Sequence, residues 1–442
     1  MKYENMKSLI LTILVIMSLV LTWNLWTYQP DFDYIDSERV ISDVQISETL
    51  ESGKLIQPTM LLFHYAEEHH GTIDVSRFLE EFKRWNLFDI EYMNINQSRF
   101  DEFMHGNRKM EIVFPDDIPM PTLRYLTGFS DNEINVTISR IVVDFDAASA
   151  EEPVIYLVNY EEQQVYQAKV QNLVLSELER NFYQTGRTLP VYLSIENREG
   201  KYLFYPALST KDEQKMSSYN YYIDQLNPED FKNALFDDPS IVTNDQLFDG
   251  EVYRDDSRLL RVFSQDLKLQ YVNPGNTRMG NNIDFNVIER GIDFVNEHAG
   301  WSGPIETYNL DSWSRSPIEH TVTFRMYKGD YPIVNLDPEG VAAITQSWRN
   351  NELREYVRPS FEFGLEIIKD TKELPSGNRV IRHLQQANID ISKIEVLRVG
   401  YDLKKDPNSN GILVLEPVWI YSDGNSWSKI TLSDNDDLEG GR

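Results

Sequence analysis

The sequence predicts an α+β protein: one N-terminal transmembrane helix, then a multi-domain extracytoplasmic portion of mainly antiparallel sheets with packed helices. Three observations predict it. Residues 8–30 carry no charge. The rest alternates short β-like runs with amphipathic helical spacings. The 442 residues exceed what one core usually organises, and 41% hydrophobic with 12% aromatic residues is ordinary globular usage.

Residues 1–7 form the expected cytoplasmic tail and 8–28 the membrane helix. The run LILTILVIMSLVLTWNL from Leu9 to Leu25 is about the 20 residues that cross a hydrocarbon core. Lys2 and Lys7 precede it, while Asp31, Asp33, Asp36 and Glu38 follow, which places the N-terminus in the cytoplasm of a single-pass cell-membrane protein. Trp23, Trp26 and Tyr28 suit the outer headgroup level. The exit LTWNLWTYQP lacks the small-residue pattern of a cleavage site, so the span is read as an uncleaved anchor. Ser8, Thr12, Ser18 and Thr22, with Trp23 and Trp26, are placed to meet a partner's helix in the membrane. The hydroxyls could equally bond back to their own backbone, and spacing leaves both readings open.

Residues 29–184 are expected to form an outer α+β domain. A strand is predicted over 54–64, and Asp74 caps a helix whose apolar face is Val75, Phe78, Leu79, Phe82 and Trp85. Strands follow at 89–95, 109–114, 136–145, 153–159 and 164–170, with a helix at 98–104. Residues 185–280 read as a β-rich central domain around KYLFYPAL and YNYYIDQL, with a helix opening at Pro228. Residues 281–432 read as a C-terminal α+β domain that repeats one unit, helix then hairpin. Its helices, near 284–297 and 378–388, carry apolar faces of Ile288, Ile292 and Val295, and of Val380, Ile381, Leu384 and Ala387. The tail 433–442 is expected to be disordered.

The net charge of −29 opposes nucleic-acid binding, which needs clustered cations against phosphate. With no cysteine there is no disulfide, thiolate metal site or cysteine nucleophile. No G-x-S-x-G elbow, H-E-x-x-H, S-x-x-K set or P-loop occurs, so no catalytic, cofactor or metal residue is assigned. The richest stretch in metal-ligand types is His64 with Glu67, Glu68, His69 and His70. Neighbouring positions 69 and 70 do not easily share one ion, and a solvated loop between strand and helix is expected there. Asp406, Asn408 and Asn410 echo half a calcium loop, but Glu416 falls one place short of the twelfth position; Asn410-Gly411 reads as a hairpin turn. Asp116 with Asp117, and Asp237 with Asp238, are adjacent carboxylates expected to point apart. Tyr219, Tyr221 and Tyr222 read as strand packing, and Trp301 as a packing residue after a helix stop at Gly300.

The segment SLILTILVIMSLVLTWNLWTYQPDFD strongly resembles the anchor and exit of the YycH family of Gram-positive bacteria. Segments 53–65, 110–119, 140–146, 260–274, 292–301 and 325–333 also resemble family segments in order. The resemblance implies a non-enzymatic regulator of a two-component sensor histidine kinase of the WalK (YycG) type. It also implies a YycI-like membrane partner, contacts through transmembrane helices, and a setting in cell-wall metabolism. The competing functions are a membrane-anchored envelope hydrolase, for which no catalytic constellation assembles, and a wall-ligand-binding protein.

Overall fold

The computed structural model describes residues 14, 15, 17–19 and 21, and residues 49–432 apart from 130–135, 148–151, 199–200, 275–285, 302, 304, 317, 336–340, 350 and 425. The chain divides into two compact units, Met1–Ser42 and Asp43–Arg442. Of the first, Leu14, Val15, Met17, Ser18, Leu19 and Leu21 are helical and exposed. No helix among the described residues is long and apolar enough to cross a membrane.

The second unit is mixed α+β and mostly sheet. Alternating apolar residues build a ten-stranded sheet whose spatial order begins with β10 (Lys201–Pro206), β9 (Val191–Arg198), β2 (Glu68–Thr72), β1 (Met60–Tyr65) and β4 (Lys109–Pro119). It continues through β6 (Thr137–Asp144), β7 (Val154–Asn159), β8 (Gln164–Gln171), β3 (Asn86–Met93) and β5 (Gly128–Phe129). All neighbours are antiparallel except β3 with β5. The helix expected at Asp74 is α1 (Ser76–Phe82), with Phe78, Leu79 and Phe82 buried. The cap position falls on Val75, and Asp74, one residue earlier, accepts from the Ser76 amide through Oδ1. Helix α2 (Phe100–His105) follows a 3-10 turn at Gln97–Arg99. The strand expected over 54–64 instead opens with a helical turn, Ser52–Leu55, and β1 starts at Met60.

The second sheet has fourteen strands. One limb runs β12 (Thr243–Leu247), β13 (Gly250–Arg254), β14 (Leu259–Phe263), β15 (Lys268–Val272), β20 (Glu352–Pro359), β19 (Ala343–Arg349) and β17 (His320–Lys328). It passes through β18 (Tyr331–Val334) to β22 (Val396–Asp406), β23 (Ser409–Ser422), β11 (Lys215–Gln225) and β21 (Phe361–Glu373). Strand β16 (Thr307–Arg315) adds to β17, and β24 (Trp427–Ile430) to β23. The expected helices appear as α3 (Pro228–Leu235), capped by Asn227, α4 (Val287–Glu297) and α5 (Gly377–Gln386). Each of the last two precedes an antiparallel hairpin, β16–β17 and β22–β23, and the parallel pair β18–β22 joins them.

One continuous apolar core serves both sheets, from Phe63, Phe78 and Ile141 in the first to Ile292, Trp301 and Phe324 in the second. Polar clasps fix the join. Gln57 and Asn309 exchange two hydrogen bonds, at 2.8 and 2.9 Å, and Asp116 Oδ2 accepts from the Trp313 amide at 2.9 Å. Tyr221 is buried, whereas Tyr222 is 51% exposed, as opposite faces of one strand require.

Candidate functional site

The solvated loop expected at 67–70 is a β-hairpin instead. Ala66 adopts φ 59, which closes a two-residue turn at Ala66–Glu67 and sets Tyr65 opposite Glu68 and His64 opposite His69. Alternation then separates the two faces of β1. Leu61, Phe63 and Tyr65 enter the main core, while His64 shares the other face with Leu62.

On that face four elements converge on a buried polar cluster. β4 contributes Glu111, β6 Arg140, the C-terminal end of α2 His105, and the turn after β7 Tyr160. His64 and Glu111 are fully buried. Glu111 Oε1 lies 2.8 Å from His64 Nε2 and 3.4 Å from His105 Nε2, and Oε2 accepts from Arg140 at 2.9 Å. His105 Nδ1 is 2.7 Å from Asp101 Oδ1, and the Arg140 guanidinium lies 4.1 Å over the Tyr160 ring. His64 Nδ1 stands 2.7 Å from His69 Nδ1. The Phe204 ring of β10 packs within 5.4 Å of all three imidazoles.

Burial alone would raise Glu111, but His105, Arg140 and the His64 bond outweigh it and hold the carboxyl below its usual range. An ionised Glu111 accepts only, so His64 presents Nε2–H to it and keeps Nδ1 as an acceptor. His69 Nδ1–H is then the donor to His64. Burial lowers both imidazoles, His69 to about 4 with added repulsion from His64 and His105. Both rings are therefore neutral at neutral pH. No three His, Asp or Glu side chains among the described residues are arranged to hold a metal ion.

The cluster forms part of the wall of a cleft of about 350 Å³, lined by Arg140, Tyr160, Tyr202 and Phe204 beside the first sheet and by Asp311, Arg398 and Trp427 from strands of the second. A second recess of about 320 Å³ shares Asp116, Asp311, Glu395 and Trp427 with it. Asp116 and Asp117 do point to different partners, Trp313 and Asn159. Burial, with Asp117 and Asp311 nearby, pushes Asp116 up to about 6 against two backbone hydrogen bonds.

Of the membrane residues singled out in the sequence, Ser18 is helical and exposed, while Ser8, Thr12, Thr22, Trp23 and Trp26 lie outside the described residues. The hairpin expected at Asn410-Gly411 exists, but it turns three residues earlier, at Pro407-Asn408: Asp406 pairs with Ser409, and Asp406 Oδ1 accepts from the Asn408 amide. Sequence reasoning missed Glu111, His105, Arg140 and Tyr160. The signal was in HYAEEHH, since a two-residue turn at its centre must pair His64 with His69.

Two family descriptions cover nearly the whole chain: "YycH protein, N-terminal domain" matches residues 4–185 and "YycH protein, C-terminal domain" residues 205–437. The chain belongs to the YycH family. A relative from Bacillus subtilis (strain 168), named "Two-component system WalR/WalK regulatory protein YycH", is 24% identical over 441 residues, 95% of this chain and 94% of the relative. The crystal structure of YycH from Bacillus subtilis superimposes with a TM-score of 0.70 at 19% identity, covering 88% of this chain and 99% of that one. The YycH fold is thus shared over both sheets.

Proposed function

We propose that this chain is a membrane-anchored regulator of a two-component sensor histidine kinase of the WalK type. It acts beside a YycI-like membrane protein in the control of cell-wall metabolism. The observation that carries the reading is family membership along almost the whole chain, together with a relative that bears the name of a WalR/WalK regulatory protein. The uncharged run 8–28 with its cationic inner flank supports a single-pass anchor, N-terminus inside. The acidic outer unit suits an exposed, soluble body. Regulation here needs binding and positioning alone, so no catalytic residue or cofactor enters the reading.

The test is crosslinking of the full-length chain in its own membranes, followed by purification and measurement of kinase output with and without the chain. Recovery of the WalK-type kinase and the YycI-like protein, with output changed by deletion, is the expected result. Recovery of neither, with output unchanged, would refute the reading.

A further inference from the structure

Three imidazoles in series are unusual, His69 touching His64 on the paired strands and His64 touching His105 at the end of α2, and their geometry limits how many protons they hold. The His64 and His69 rings meet edge to face at 4.9 Å, and His64 and His105 at 5.5 Å. Between the two Nδ1 atoms, 2.7 Å apart, there is room for one hydrogen. The pair can take one further proton, on His69 Nε2 or by exchange of tautomers, and the cation that results lies near Arg140 and His105. A second proton puts hydrogens on both Nδ1 atoms and breaks the contact.

The surroundings give little compensation. Facing the pair from β4 are Glu111, already engaged by His64 and Arg140, and Lys109, held by Asp144 at 2.6 Å. From α2 come His105 and Asp101, from β6 Arg140, and from the turn after β7 Tyr160. From β9 comes Tyr192 opposite His69, and from β10 Tyr202, while Glu68 and His70 of β2 flank His69 and project to the other face, His70 against Tyr65. The strand that carries His69 is weakly tied on its outer side. β2 meets β9 at two register pairs, supported by the Gly71 amide on Pro190 and by His70 on Leu189.

We propose that this cluster makes the outer unit acid-sensing: protonation across the His64–His69 contact releases β2 and, with it, the β9–β10 edge that walls the cleft. β10 also packs Leu203 and Tyr205 against α5 and β22, so release of β2 loosens Tyr192, Lys201, Tyr202 and Phe204 at the cleft wall, and acid alters the surface this unit presents. The idea rests on the cluster alone and stands apart from the kinase reading. The sign follows from linkage. A histidine held below its free value favours the closed form above about pH 6.5, and that preference is lost as pH falls toward about 4.

The test uses the full-length chain in nanodiscs, with hydrogen exchange measured from pH 7.5 to 4.5 and corrected for intrinsic rates. Counting His69 alone, which moves from about 4 to about 6.5 on opening, protection in β2, β9 and β10 falls at least about tenfold by pH 5.5 and at least about thirtyfold by pH 5.0, and the second proton taken by His64 adds to the loss. Protection in β22–β23 stays within about twofold. His69→Gln keeps a donor toward His64 but does not titrate, and its loss of protection by pH 5.0 is at least threefold smaller. Should that variant fail to fold, histidine-selective NMR of the wild type decides: uptake at His64 and His69 must coincide with loss of β2 protection. Equal protection of β2 at pH 5.0 and 7.5, a His69→Gln response matching wild type, or titration of His69 near its ordinary value without loss of protection, each overturns the proposal.

Discussion

Glu111 meets His64 and Arg140 inside the first sheet, so the charge balance of that cluster turns on one carboxylate. Glu111→Gln leaves the Arg140 guanidinium, 12% exposed, without its buried counterion, and a broken buried pair of this kind costs about 3 kcal/mol. Urea denaturation at pH 7 should report a loss of that size, with the slope unchanged. Glu306 presents the opposite case. Burial, helped by Glu362, lifts its carboxyl to about 7 against backbone amides and Arg358. The folded state then binds a proton that the unfolded chain has released, so stability falls as pH rises from about 4.5 through 7. Glu306→Gln removes that slope. Relative to wild type it should gain on the order of 2 kcal/mol between pH 5 and pH 8.5, and parallel denaturation curves would show it. Neither role was visible in the sequence, where Glu111 lay in MEIVFPDDIP as one of 71 acidic residues.

At the scale of elements, close backbone approaches decide where helices can sit. A Cβ on Gly377, the first residue of α5, would stand 2.4 Å from the Pro206 carbonyl oxygen at the end of β10. Gly377→Ala must therefore move α5 or β10, and overpacking of this kind costs about 1–3 kcal/mol. A lowered melting temperature with unchanged secondary structure is expected. The helices themselves were legible, because Phe78, Leu79 and Phe82, or Val380, Ile381 and Leu384, recur at a 3.6-residue period and are all buried. Turns were less so. Ala66 at φ 59 carries none of the Asn-Gly chemistry that marks a hairpin, and that silence turned a strand pair into an expected loop. With the turn unread, the register of β1 against β2 was unread too, and so was the histidine contact it creates.

At the scale of the whole molecule, net charge acts on every part of the fold at once. A net charge of −29 repels itself, and screening lengths shrink from about 30 Å at 0.01 M salt to about 8 Å at 0.15 M. The unfolding midpoint should accordingly rise with salt over that range, by an amount that Lys and Arg substitutions at exposed acidic positions reduce. The unit Asp43–Arg442, with a continuous core under both sheets, has what it needs to keep its fold when the segment before it is exchanged. Replacing residues 8–28 with an unrelated apolar helix thus separates two sources of regulation. If contacts in the membrane carry the signal, kinase output changes to the level of a deletion while the unit Asp43–Arg442 denatures at an unchanged urea midpoint. If the sheet-bearing unit carries it, output stays at wild type and is lost instead when residues 49–432 are removed and residues 8–28 are kept. An output insensitive to both exchanges would leave the proposed regulation without a physical carrier in this chain.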